Sequence, residues 1–207
     1  QTIRQINVAT QVVTTLAGTT GSSGSTDGTG NAASFSSPWG ISYSAPDGRY
    51  AQGRLFVADT FNNTIRQIDL ATQAVTTLAG TAGSMGSADG TGIAARFDAP
   101  RGISYSAPDG SYPQGRLFVV DANNRTIRQI DVATKVVSTL AGTAGSSGST
   151  NGTGSAARFS NPLGIGYSAP DAGHAQGRLF VADSFNHTIR QIDVATQVVS
   201  TLAGTPG

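Results

Sequence analysis

The sequence predicts an all-β chain, and three observations carry that expectation. One pattern returns every 62 residues: Thr2-Ile3-Arg4-Gln5-Ile6 recurs from Thr64 to Ile68, from Thr126 to Ile130 and from Thr188 to Ile192. Val, Ile, Thr, Phe and Tyr gather in short runs bounded by Gly, Pro, Asn and Asp, the chemistry of strands and turns. All 12 acidic residues are Asp, and Lys135 is the single Lys beside 12 Arg. Surface helices draw on Glu and Lys, so this usage speaks against an α or α/β protein.

Composition narrows the function classes. A formal charge of +1 supplies no general field for nucleic acid or an acidic membrane. The absence of Cys removes thiol catalysis, disulfides and Cys-type zinc sites. No apolar run approaches the roughly 20 residues of a spanning helix, so no membrane insertion is expected. No charged-then-apolar leader opens the residues as they stand, and the chain reads as soluble or as having lost one.

Within each period the punctuation marks four extended runs. The first follows a Pro-x-Gly signal, Pro38-Trp39-Gly40-Ile41-Ser42-Tyr43-Ser44, echoed at Pro100 to Ser106 and Pro162 to Ser168. After a Ser-Ala-Pro-Asp loop comes Arg54-Leu55-Phe56-Val57-Ala58-Asp59, a continuous apolar run suited to a strand buried on both faces. A turn through Phe61-Asn62-Asn63 leads to Thr64 to Asp69, and a turn through Ala71-Thr72-Gln73 to Ala74 to Gly80. The Gly- and Ser-rich linker from Thr81 to Ala99 is expected to be a surface crossover from the outermost strand of one unit to the innermost strand of the next.

Four strands in meander order at a fixed period make one blade of a β-propeller, in which blade faces pack on neighbouring blades. Ile65 and Ile68 then point to opposite faces of one strand, each toward a different neighbour. The stretches Pro38 to Ile41, Leu55 to Asp59 and Asn62 to Arg66, with their copies, resemble the NHL-repeat family of β-propellers along essentially the whole chain. At the family's nominal Asn-His-Leu this chain has Asn62-Asn63-Thr64, Asn124-Arg125-Thr126 and Asn186-His187-Thr188. The family spans enzymes, RNA binders and interaction scaffolds, so the resemblance implies a fold and leaves the role to the site.

The repeat divides the chain into a half-blade, 1–21, and blades at 22–83, 84–145 and 146–207. Three and a half blades of four antiparallel strands do not close a ring, since closed propellers have about 4 to 8 blades. The half-blade is expected to leave an apolar face and an unpaired edge at Thr2 to Ile6. The expected states are a window of a longer repeat chain, a ring completed by other chains, or a head-to-tail array. A simple dimer ring is discounted because both half-blades would be outer halves.

Residues that recur in every blade read as scaffold. Arg4, Arg66, Arg128 and Arg190 belong here, as do Asn7, Asp69, Asp131 and Asp193, which suit Asx turns. Asp59, Asp121 and Asp183 are expected to hold the following Asn-rich turn through its backbone. The loops Asp27-Gly28-Thr29-Gly30, Asp89-Gly90-Thr91-Gly92 and Asn151-Gly152-Thr153-Gly154 each offer one side chain where calcium takes about six to eight oxygens, so metal binding is disfavoured. His174 and His187 each occur in one copy and lack partner ligands, and no catalytic residue or cofactor is expected.

Departures from the repeat are where a specific surface would be written. Trp39, Arg101 and Leu163 share one position, Tyr50, Tyr112 and His174 a second, and Asn63, Arg125 and His187 a third. Trp and Arg are enriched in binding hot spots, so the first two sets are the candidate interaction surface. Asn62, Asn124, Asn151 and Asn186 each begin an Asn-x-Ser/Thr sequon, three of them at one hairpin tip expected to be exposed. The resulting expectation is a non-catalytic, extracellular or cell-surface interaction and structural module that self-assembles into a ring or filament, its partner being protein and foremost other copies or further repeats. The alternatives are part of a larger lyase- or hydrolase-type propeller, with the active site in blades beyond this segment, and an intracellular protein or RNA adaptor, which would want a basic face.

Overall fold

The computed structural model describes residues 1–207, and they form a meander of strands with five single-turn 3₁₀ segments between them. The chain opens with β1 (Ile3–Ile6) and β2 (Val13–Ala17). The first full blade holds β3 (Gly28–Thr29), β4 (Pro38–Ser44), β5 (Arg54–Asp59), β6 (Thr64–Asp69) and β7 (Ala74–Ala79). The second holds β8 (Gly90–Thr91), β9 (Pro100–Ser106), β10 (Arg116–Asp121), β11 (Thr126–Asp131) and β12 (Val136–Ala141). The third holds β13 (Gly152–Thr153), β14 (Pro162–Ser168), β15 (Arg178–Asp183), β16 (Thr188–Asp193) and β17 (Val198–Ala203).

Each full blade is an antiparallel sheet in the order β3-β7-β6-β5-β4 or its repeat, and β1-β2 forms a sheet of its own. The linker therefore differs from the plain surface crossover that its composition suggests. Its Gly28-Thr29, Gly90-Thr91 and Gly152-Thr153 pair with the outermost strand of the following blade as a short fifth strand. Its Ala33 and Phe35, with Ala95, Phe97, Ala157 and Phe159, are buried between blades. Polar linkers thus carry two apolar anchors each, which a Gly/Ser count hides.

Alternation along the strands distributes the core as the repeat requires. Ile65 joins the cluster between the first and second blades, with Phe56, Phe97, Leu117 and Val119, whereas Ile68 joins Ile3, Leu16 and Phe35 on the opposite side. The glycine of Pro-x-Gly follows from how the inner strands meet. A Cβ on Gly40 would collide with the carbonyl of Arg101, and one on Gly102 with that of Leu163. The turns behave as the sequence predicts: Asp69 Oδ1 accepts the N–H groups of Ala71 at 2.8 Å and Thr72 at 3.3 Å. Asn7 does the same for Ala9 and Thr10, so Asn replaces Asp there without loss of the turn.

Candidate interaction site

The Pro-x-Gly strands bring Trp39, Arg101 and Leu163 into one row, because Gly40 lies on the Arg101 backbone and Gly102 on the Leu163 backbone. The Arg101 guanidinium sits 4.8 Å from the Trp39 ring centroid, and Trp39 is 60% exposed. Arg101 Nε is buried without a hydrogen-bond partner, and the guanidinium lies within cation–π reach of the ring. An aromatic plate already ordered by a cation is suited to bury against a partner at small entropic cost.

Tyr50, Tyr112 and His174 do not join this row. They lie beyond the far ends of β4, β9 and β14, roughly 20 Å away for seven residues of strand. Tyr50 Oη accepts the Gln67 amide at 2.8 Å and its ring lies 4.3 Å under Arg54, which also donates to the Gln114 carbonyl of the next blade. Tyr112 repeats this with Gln129 and Arg116. These tyrosines are half-buried, each held within its own blade by a Gln amide and an Arg, and they lie apart from the Trp39 row. His174 stands instead 2.8 Å from Asp171 Oδ1, and Arg178 donates to the other oxygen at 2.8 Å. That His174 bond, joined by the Gly173 N–H and the charge of Arg178, holds the Asp171 carboxyl below its ordinary range.

The recurrent arginines and aspartates are scaffold, as their recurrence suggests, through buried pairs that the sequence does not show. Arg66, Arg128 and Arg190 are wholly buried, as are Asp59, Asp121 and Asp183, and they pair at 2.9–3.0 Å. Asp59 Oδ1 accepts the Ser36 N–H of the linker, while Oδ2 accepts from the Asn62 side chain and from Arg66. Asp59 therefore holds the side chain of the Asn-rich turn and the linker, not the turn's backbone. The second guanidinium nitrogen of Arg66 reaches Asp27 at 2.7 Å and the Thr26 carbonyl at 3.1 Å. Asp89 serves Arg128 and Asn151 serves Arg190 in the same place, which accounts structurally for the loops weighed as calcium ligands. Burial pushes the Asp121 carboxyl up to about 6, its hydrogen bonds and the Arg128 charge offsetting part of the desolvation. The clue in the sequence was the constant Arg-to-Asp interval across copies; a buried pair is not distinguishable there from two exposed ones.

The same network closes three of the four sequons. Asn62, Asn124 and Asn186 are buried, and each side-chain nitrogen already donates twice, to Asp59 and the Gly24 carbonyl in the first blade and to their counterparts elsewhere. The hairpin tip is exposed at Phe61 and Phe185, but the Asn beside them is its buried internal tether. Asn151 is exposed, with its oxygen on Arg190 and Thr201. Asn63, Arg125 and His187 all occupy the left-handed region, at φ 57°, 58° and 57°. No three His, Cys, Asp or Glu side chains come together as a metal-binding group, and no helix is long and apolar enough to cross a membrane.

No protein-family model matches the chain. Among curated proteins it is 32% identical over 176 residues to human NHL repeat-containing protein 2, covering 82% of this chain and 22% of that one. It is 35% identical over 168 residues to the Arabidopsis thaliana protein SUPPRESSOR OF QUENCHING 1, chloroplastic, covering 78% of this chain and 14% of that one. The chain thus spans about a fifth or less of the length of these relatives. Among solved structures, an auxiliary nutrient binding protein from Bacteroides thetaiotaomicron aligns with a TM-score of 0.68 at 20% identity, covering 98% of this chain and 43% of that one. A virginiamycin B lyase from Staphylococcus aureus aligns with a TM-score of 0.56 at 13% identity, covering 98% and 48%. At these identities the structural likeness concerns the fold alone.

Proposed function

The chain belongs to the NHL-repeat β-propellers, and from that premise we propose that it is a non-catalytic protein-interaction segment whose binding surface is the row Trp39, Arg101 and Leu163. The observation that carries the reading is the exposed Trp39 ring with the half-buried Arg101 guanidinium 4.8 Å from its centroid. A rigid aromatic with an adjoining cation is the composition of interface hot spots. The aspartates that recur in each blade support it from the other direction. Asp59, Asp121 and Asp183 are buried on arginines, and Asp69, Asp131 and Asp193 are engaged by turn amides.

We place the module outside the cell or on its surface. The uncharged Ser-, Thr- and Gly-rich linkers and the open sequon at Asn151 support this, and mass analysis of secreted material before and after N-glycan removal checks it. The interaction surface is tested with matched baits, the native chain against Trp39→Ala and Arg101→Ala, cross-linked to cell-surface and medium proteins. A partner held by the native chain and lost with both variants supports the proposal. Partners indifferent to both variants overturn it.

A further inference from the structure

One backbone N–H is met differently at the three junctions between blades. The residue before each Pro-x-Gly strand, Ser37, Ala99 or Asn161, holds φ at 51°. Ser37 donates its N–H to the side-chain oxygen of Gln1 at 2.7 Å, and Ala99 donates to that of Asn63 at 2.9 Å. Gln1 and Asn63 are one period apart, and the next residue of that series is Arg125, whose side chain has no acceptor atom. The Asn161 N–H therefore has no acceptor within the chain. Ser184 nevertheless holds the residue in place, donating to its carbonyl at 2.6 Å and accepting from its side-chain amide at 3.1 Å.

Three neighbouring exchanges open the space beside that N–H. Between the first and second blades the Asn123 amide donates to Asp98 Oδ1 at 2.9 Å, and the Thr60 hydroxyl donates to the Pro100 carbonyl at 2.7 Å. One period on, Phe185 stands for Asn123, Ser160 for Asp98 and Ala122 for Thr60, so neither bond has a counterpart. The result is a cavity of about 360 Å³ between the second and third blades, lined by Asn123, Arg125, Ser147, Ser160, Asn161 and Phe185. Phe185 is 70% exposed, and so is Phe61 with a complete blade after it, so a following blade does not cover this position. The lining offers two kinds of polar group. The donors are the Asn161 N–H and the half-buried Arg125 guanidinium, which has no ion pair. The acceptors are the side-chain oxygens of Asn123 and Asn161, whose nitrogens are already engaged by Asp98 and Ser184. Of the surrounding carboxylates, Asp98 is bonded by Asn123, while Asp121 and Asp183 are paired with Arg128 and Arg190.

We propose that this cavity is a binding site for a sugar acid. One carboxylate oxygen accepts the Asn161 N–H in place of the amide oxygen that serves the other two junctions, and the Arg125 fork pairs with the same carboxylate. Ring hydroxyls donate to the side-chain oxygens of Asn123 and Asn161, and an apolar face of the sugar rests on the Phe185 ring. The volume lies within the range of small-ligand sites, roughly 300 to 1,000 Å³. Simpler ligands match less of the lining. A bare anion leaves both amide oxygens and the aromatic ring without partners, and a neutral sugar leaves Arg125 without one. The site is separate from the Trp39 row and does not rest on it.

The test titrates the full chain, labelled with nitrogen-15, with D-glucuronate and D-galacturonate, and with glucose and acetate as controls at fixed ionic strength. The Asn161 backbone amide is followed by NMR. We expect at least one uronate to shift that resonance saturably, with a dissociation constant of about 1 mM or below and at least about tenfold tighter than either control. Two substitutions rebuild the first junction at the second. Arg125→Asn restores the acceptor that Asn63 supplies there, and Ser160→Asp restores the carboxylate of Asp98. Each should weaken uronate binding at least about tenfold, with thermal unfolding showing both variants folded. Absence of a saturable shift with both uronates overturns the proposal. Glucose or acetate binding as tightly as the uronates overturns it too, as does uronate binding indifferent to both substitutions.

Discussion

Two interfaces in this molecule are written in nearly the same residues and differ by one pair of strands. Between the first and second blades, Phe97 lies in a closed apolar layer completed by Phe56 on one side and Ile103 on the other. Between β1-β2 and the first blade, Phe35 holds the equivalent place, yet Ile41 and Tyr43 face solvent. The difference teaches that burial here belongs to the pairing of blades and not to the repeat itself. Ile6 is 62% exposed, whereas its counterparts Ile68, Ile130 and Ile192 are wholly buried.

The largest expected separation is in the linker anchors. Phe97→Ala should lower the unfolding free energy by about 3–5 kcal/mol, and Phe35→Ala by about 2, because the half-built interface has room to collapse. Urea unfolding of both variants decides it, and equal losses would break the comparison. Next is the buried pair. Arg128→Ala strands the buried Asp121 carboxylate and should cost about 3 kcal/mol or more, whereas Arg4→Ala should stay within about 0.5 kcal/mol as a surface change. With the Asp121 carboxyl raised to about 6, the fold holds its proton more tightly than the unfolded chain does. This contribution to stability is complete below about pH 4, falls as pH rises to about 6, and is level above that. Urea midpoints across this window, repeated with Asp121→Asn, should show the slope and its flattening.

Smaller effects sharpen the same contrast. Tyr105→Ala loses the stack on Phe56 and should cost about 1 kcal/mol beyond its buried area, while Tyr43→Ala should change stability by less than about 0.5 kcal/mol. The smallest effect is a gain. Arg125 sits at φ 58°, a region that Asn tolerates better, so Arg125→Asn should add about 0.5 kcal/mol in thermal unfolding.

Most of the architecture was legible because it rests on local chemistry. The 62-residue period, the turn residues and the alternation of Ile65 and Ile68 are written in adjacent residues, and the strands fall where these place them. The fifth strand was not legible, since Gly90-Thr91 has no apolar pattern and is held only by β12. Nor was the burial of Asn62, because a sequon looks the same whether its amide meets solvent or Asp59. Of the candidate surface, Trp39 and Arg101 meet because identical strands stand side by side. Tyr50 lies apart from them, engaged by Arg54 and Gln67 at the blade's other end.

Gly92 receives the Gly80 N–H at 3.1 Å and donates its own to the Lys135 carbonyl at 2.9 Å, joining the end of one blade, the start of the next linker strand and the last turn of the following blade. Because β8 lies beside β12, the chain arrives at and departs from each blade on the same outer rim. A tandem duplication with breakpoints near Thr81 and Thr143 would therefore insert one whole blade between two junctions that already lie together, leaving every inner strand in place. A gene built this way can lengthen or shorten by single units with little harm to the copies on either side.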